Sequence, residues 1–157
     1  MNKLRIFVDK NKCIGCLACV IACKLKHNLP PHTTKPPIAE PKGPKPIRIL
    51  EVGPRVRNGE VIEYFFHAIV CNHCANPPCA KSCPASAIYT TEDGIVLVDR
   101  NKCNGCQLCL DACEYKAPQF DLDGKLVLCD LCIDRLKEGK KPLCLNVCPA
   151  MAISLLV

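Results

Sequence analysis

Cys129, Cys132, Cys144 and Cys148 stand in the pattern C-x2-C-x11-C-x3-C, two pairs of thiols that on their own would suit one tetrahedral zinc ion. They are one of four such groups. Cys13, Cys16, Cys19 and Cys23 are separated by two, two and three residues, and Cys103, Cys106, Cys109 and Cys113 repeat that spacing. Cys71, Cys74, Cys79 and Cys83 are separated by two, four and three. Structural zinc sites are built from paired C-x2-C knuckles, and a C-x2-C-x2-C-x3-C run occurring twice is a different arrangement. Sixteen thiols supply four four-thiolate centres and leave no cysteine over for nucleophilic catalysis.

That repeated run is the bacterial ferredoxin spacing, in which three thiolates bind one cubane and the fourth serves the neighbouring cluster. The first three sit on a loop that curls around the cube, and the fourth is expected at the start of a helix that points away. Gly15 and Gly105 let the backbone turn tightly against inorganic sulfide. The elements around the thiols show the same duplication. Residues 7–23 and 97–113 are identical at ten of seventeen positions at a constant offset of 90 residues, and CPASAI is echoed by CPAMAI at 148–153. Short helices are expected over 17–24, 107–112 and 130–138, the last stopped by Gly139. Short strands are expected over 4–8, 95–98, 125–128 and 152–156, and a hairpin over 47–52 and 61–69 around Asn58 and Gly59. Seven prolines between Pro30 and Pro46 mark an extended surface loop.

Composition narrows the function classes. Such a cysteine density signals a disulfide scaffold or a metal protein. The N-terminal residues show no apolar leader core, no twin arginine and no cleavage site, so a reducing cytoplasm is expected. No stretch approaches the roughly 18 apolar residues of a membrane span. The formal charge of +6 points weakly to nucleic acid, but each oxidised four-thiolate cube contributes about −2, so four bring the total to about −2. The basic residues then compensate cluster charge.

Other candidates are weaker. His73 lies inside CNHC, where four thiols are already at hand, so a hydrogen-bonding or packing role is expected. No partner can be named for His27, His32 or His67. Arg135, Lys137, Lys140 and Lys141 read as a solvated helix face, with a docking patch as the sharper alternative. The run DLDGK at 121–125 lacks the remaining calcium ligands and reads as a turn.

Taken together, the four groups in this order resemble the four-cluster iron-sulfur electron-transfer subunits of molybdenum and tungsten bis-pterin oxidoreductases, the dimethyl sulfoxide reductase and formate dehydrogenase type. CNHCANPPCAKSCP, GIVLVDRNKCNGCQLCLDAC and APQF carry the likeness, which runs from about residue 3 to 153. Glu114 departs from it, standing where many relatives have proline, and a chain this short is expected to be without the C-terminal extension or membrane anchor of some members. Every ligand position, Cys106 included, holds cysteine, so four [4Fe-4S] cubanes are implied.

The resemblance implies an α+β fold of two ferredoxin-like two-cluster modules related by a pseudo-twofold duplication. The first comprises 1–28 with 124–157 and the second 70–123, and a proline-rich loop and β-hairpin insert occupies 29–69. By position, Cys13, Cys16, Cys19 and Cys148 bind one cluster, and Cys23, Cys129, Cys132 and Cys144 bind its neighbour. Cys71, Cys74, Cys79 and Cys113 share a third, and Cys83, Cys103, Cys106 and Cys109 the fourth. The implied role is electron relay between a large molybdenum or tungsten-pterin catalytic subunit, of formate dehydrogenase or aldehyde oxidoreductase type, and a second redox protein such as a ferredoxin, a flavoprotein or a further iron-sulfur subunit. A diffusible polyferredoxin is the alternative, and a zinc-stapled binding module a remote one.

Overall fold

A computed structural model describes residues 4–29 and 43–157; His32 and most of the proline-rich loop lie outside the described residues. In chain order the described elements are β1 (Arg5–Val8), α1 (Ala18–Lys26), β2 (Ile47–Arg57), β3 (Glu60–Val70), α2 (Pro78–Lys81), β4 (Ile88–Thr90) and β5 (Val96–Val98). After these come α3 (Leu108–Ala112), β6 (Gln119–Phe120), β7 (Leu126–Val127), α4 (Ile133–Lys137), α5 (Leu143–Asn146) and β8 (Ile153–Leu156). The fold is α+β, with strands in four separate antiparallel pairs: β1 with β8, β2 with β3, β4 with β5, and β6 with β7. Among the described residues none of these ribbons extends into a larger sheet. Each leans on the helices and loops that carry the cysteines.

Two apolar cores follow from this. Ile6, Val20, Ile47, Ile49, Leu131 and Ile153 form one around Cys19, Cys23 and Cys144. Ile88, Val96 and Leu126 form the other around Cys79 and Cys109. The cores meet where β5 begins: Ile95, just before the strand, packs into the first and Val96, its first residue, into the second. Helices pair the same way, α1 against α5 and α2 against α3. Leu131 is fully buried at the centre of the first core. Leu131→Ala is therefore expected to cost about 2–5 kcal/mol, the usual range for emptying a buried leucine site, and to appear as a lower denaturant midpoint.

The β2–β3 hairpin is longer than its apolar pattern suggests. Asn58 and Gly59 both have positive φ, 52° and 82°, which gives the two-residue turn that matches strand twist. The base of the hairpin is buried through Ile47 and Ile49, whereas the outer half stands in solvent. Strand pairing persists there because the ladder, rather than burial, holds it. The register slips between Val52 and Arg55, a bulge at which Gly53 passes so close to Glu63 that a Cβ would lie 2.4 Å from its carbonyl oxygen. α4 ends as expected: Gly139 follows it at φ 71°, and the Lys140 N–H closes on the Arg135 carbonyl at 2.8 Å.

Candidate functional site

The third cysteine of every group is the second residue of a short helix: Cys19 in α1, Cys79 in α2, Cys109 in α3 and Cys144 in α5. The first two cysteines lie on the loop before it, except that α4 fills the long gap in the last group. The fourth follows one helical turn later. This corrects the expectation that the fourth cysteine starts the helix; Cys23 lies inside α1, and Cys113 is the residue on which α3 ends. The loops are turned inward by left-handed residues. Gly15 and Gly105 have φ of 68° and 75°, and Leu17 and Gln107, just ahead of α1 and α3, are left-handed as well.

The sixteen thiols are all free, and they converge in fours on four cavities. One is lined by Cys13, Cys16, Cys19 and Cys148. A second is lined by Cys23, Cys129, Cys132 and Cys144, and a third by Cys71, Cys74, Cys79 and Cys113. The fourth takes Cys83, Cys103, Cys106 and Cys109. In each, three thiols of one group are joined by the fourth thiol of another. Glu114, the departure from the family pattern, borders the third cavity and displaces no cysteine.

Backbone donors face the sulfurs. Ala152 N–H points at Cys148 Sγ and Ala87 N–H at Cys83 Sγ, both at 3.3 Å. Leu126 N–H reaches Cys103 Sγ at 3.3 Å and His73 N–H reaches Cys71 Sγ at 3.4 Å. Around each duplicated loop an aspartate repeats its role: the N–H of Asp9 bonds Ala152 O at 2.8 Å, and that of Asp99 bonds Ala87 O at 2.7 Å. Their carboxylates accept the N–H of Asn11 and Asn101.

Burial governs the thiols' charge. It pushes Cys19, Cys71 and Cys144 up to about 12 and Cys109 to about 11, each further raised by neighbouring cysteines. Cys79 and Cys129 are raised for the same reason. Thiols so placed stay protonated unless a bound cation ionises them outright, which is what an iron centre does. The donor set therefore fits a thiolate-ligated cluster.

The same repulsions order the cavities. Cys144 feels Cys19, Cys129 feels Cys71, and Cys109 feels Cys79. The quartets thus form a row that begins at Cys13/Cys16/Cys19/Cys148, continues through Cys23/Cys129/Cys132/Cys144 and then Cys71/Cys74/Cys79/Cys113, and ends at Cys83/Cys103/Cys106/Cys109. The two solvent-exposed cysteines, Cys16 and Cys106, belong to its two ends.

The remaining candidates sort differently. His73 is wholly buried, and its Nδ1 accepts the Val96 N–H at 3.1 Å, so the proton sits on Nε2. Asp121 is consumed by its own turn: Oδ1 accepts the N–H of Asp123 and Lys125 while Oδ2 pairs with Arg100. Arg135 Nε bonds the Lys141 carbonyl and Lys140 pairs with Glu138, as on a solvated face. Two residues carry no signal in the sequence. Phe66 lies over the loop at Gly15, and Lys24, buried in α1, donates from Nζ to Pro44 O at 2.6 Å. His27 finds a partner 103 positions away, its Nε2 3.4 Å from Asp130 Oδ1. Replacing Lys24 with methionine is expected to leave that carbonyl unmet, at about 1–3 kcal/mol, and to raise hydrogen exchange in the 43–47 segment.

Comparison with known proteins gives a consistent picture. Residues 62–157 match a 4Fe-4S dicluster domain model, and residues 12–87 match a second model of the same description. The sequence is 40% identical over 148 residues to the B subunit of anaerobic dimethyl sulfoxide reductase from Escherichia coli (strain K12), covering 94% of this chain and 70% of that protein. It is 34% identical to the thiosulfate reductase electron transfer subunit of Salmonella typhi, over 97% of this chain and 74% of that one. Against the B subunit of polysulfide reductase from Wolinella succinogenes it is 35% identical, over 98% and 75%. Among the described residues no helix is long and apolar enough to cross a membrane.

Proposed function

Because this chain belongs to the four-cluster iron-sulfur subunits of the dimethyl sulfoxide reductase type and carries four [4Fe-4S] clusters, we propose that it relays electrons between a molybdenum or tungsten-pterin catalytic subunit and a second redox protein. The observation that carries this is the row of four cysteine-lined cavities. Each quartet holds one cluster, so all sixteen cysteines are ligands. Bound there, the cubes supply one-electron carriers whose potentials respond to charge, hydrogen bonds and solvent exposure. The chain's own part is to keep adjacent carriers close, to leave no cysteine of the two inner quartets fully exposed, and to aim N–H groups at sulfurs where negative charge gathers. Exposed Cys16 and Cys106 mark the ends at which partners exchange electrons.

The same proposal includes the division into a first module of 1–28 with 124–157, an insert at 29–69 and a second module at 70–123. It also includes a pseudo-twofold relation between the modules. The repeated aspartate bonds and the left-handed residues before α1 and α3 support it. A donor set that must stay reduced supports a cytoplasmic setting. The catalytic partner is of the formate dehydrogenase or aldehyde oxidoreductase type on the first reading. The sulfoxide, thiosulfate and polysulfide reductases among the relatives favour a second, a reductase partner.

Anoxic purification tests this. About sixteen irons per chain with matching labile sulfide is expected, together with a co-purifying large pterin protein. The complex should then bleach reduced viologen with a sulfoxide or thiosulfate, or reduce the dye with formate or an aldehyde. A monodisperse 17.2 kDa chain that shuttles electrons between unrelated enzymes sinks the subunit reading in favour of a diffusible carrier.

A further inference from the structure

One side-chain cluster is not absorbed by the ligation of iron. His27 follows α1, and its imidazole borders the cavity of Cys23, Cys129, Cys132 and Cys144. Its ring nitrogen, an Asp130 carboxylate oxygen and Cys132 Sγ all lie within 4.8 Å of one another. Asp130 is fixed twice, since its Oδ1 accepts the Cys132 N–H at 2.8 Å and faces His27 Nε2 at 3.4 Å. α1 and α4 are held in this relation by a second link, Lys26 Nζ to Asp134 at 2.7 Å. Cys132 already belongs to a quartet, so the trio is not a separate metal site.

We propose that His27, oriented by Asp130, is a positioning residue that donates a hydrogen bond to the thiolate sulfurs of this second quartet and raises the reduction potential of the cluster held there. The inference rests on the reading of Cys23, Cys129, Cys132 and Cys144 as one ligand set. Reduction adds negative charge that spreads onto the thiolates, so a donor on sulfur stabilises the reduced form more than the oxidised form. Asp130, whose Oδ1 faces Nε2, fixes which way the ring points. Cys132 Sγ lies within 4.8 Å of the ring nitrogen, and Cys23, one helical turn earlier in α1, lines the same cavity as the imidazole. Its place matters because this quartet lies inside the row, where an electron must pause between one neighbour and the next.

The test uses the complete chain, with its partner subunit where they co-purify, in redox titrations followed by electron paramagnetic resonance. His27→Phe and His27→Leu, which lack a donor, are expected to retain full iron. One of the four clusters should be about tenfold less reduced at a fixed potential, a downward shift of about 59 mV for a one-electron couple. His27→Gln, which keeps an N–H, should recover part of the shift, and the other three potentials should stay put. In a second readout, protein grown with 15N-histidine should show a weak nitrogen coupling on the affected cluster that is lost in His27→Gln, while any coupling from the His73 amide to the Cys71 quartet persists. Full iron with unmoved potentials and no such coupling overturns the role of His27 while leaving the ligand set intact. If Cys132→Ser leaves all four cluster signals unchanged, the ligand set itself fails.

Discussion

Cys148→Ser is expected to abolish the same cluster signal as Cys13→Ser, although 135 residues separate the two positions and Cys144 lies only four away. Cys148 lines the cavity of Cys13, Cys16 and Cys19. Its sulfur also accepts the Ala152 N–H at the entrance to β8, the strand that pairs with β1 beside the first cysteine loop. Conversely, Cys23→Ser should copy Cys144→Ser. The measurement is the set of reduced-state resonance signals across these four variants. One signal of four should vanish or convert in each, and the variants should fall into two matched pairs. Grouping by sequence neighbourhood, Cys148 with Cys144, would refute crossed ligation.

Gly105→Ala is expected to cripple the last quartet in the row, and Gly15→Ala to harm the first much less. Both glycines are left-handed, which for a residue with a Cβ costs roughly 1–2 kcal/mol. The difference is in what the new methyl meets. At Gly105 it would lie 2.7 Å from the carbonyl oxygen of Gly124, a backbone atom in the turn between β6 and β7, whose next residues include Leu126, donor to Cys103 Sγ. Moving that turn disturbs the sulfur environment directly. At Gly15 the methyl would lie 2.4 Å from the Phe66 ring, a side chain that can rotate away. Adding Phe66→Ala to Gly15→Ala should therefore restore most of the lost iron, whereas no side-chain substitution relieves Gly105→Ala. Iron content and the rate of visible bleaching in denaturant read both effects. Equal damage at the two sites would mean that torsional strain alone decides.

The thiols were legible because ligand spacing is local chemistry: the four groups, the 90-residue duplication and the positions of α1, α3 and α4 all sit within short windows. The hairpin was legible from Asn58 and Gly59, yet the outer part of β2 was not, because exposed strand residues such as Arg55 and Arg57 carry no apolar alternation. Among the elements of two to four residues, β1, β5, β7 and β8 were expected from their apolar runs, whereas α2, α5, β4 and β6 were not. The helix position of the third cysteine was legible at Cys19 and Cys109, inside the helices expected over 17–24 and 107–112, and escaped at Cys79 and Cys144. What the sequence could not carry were contacts between distant segments: Phe66 over Gly15, His27 against Asp130, and Cys129 beside Cys71, which orders the row.

The pairing of β1 with β8 also sets a timetable for biosynthesis. Residues 5–8 leave the ribosome early and find their ladder partners only when residues 153–156 follow, whereas β4, β5, β6 and β7 can pair within a span of 40 residues. The middle of the chain can thus mature while translation continues, and the outer half must wait until residues 153–156 are made. Translation stalled near residue 140 would release a product able to complete the β4–β7 half and lacking the strand that closes the other.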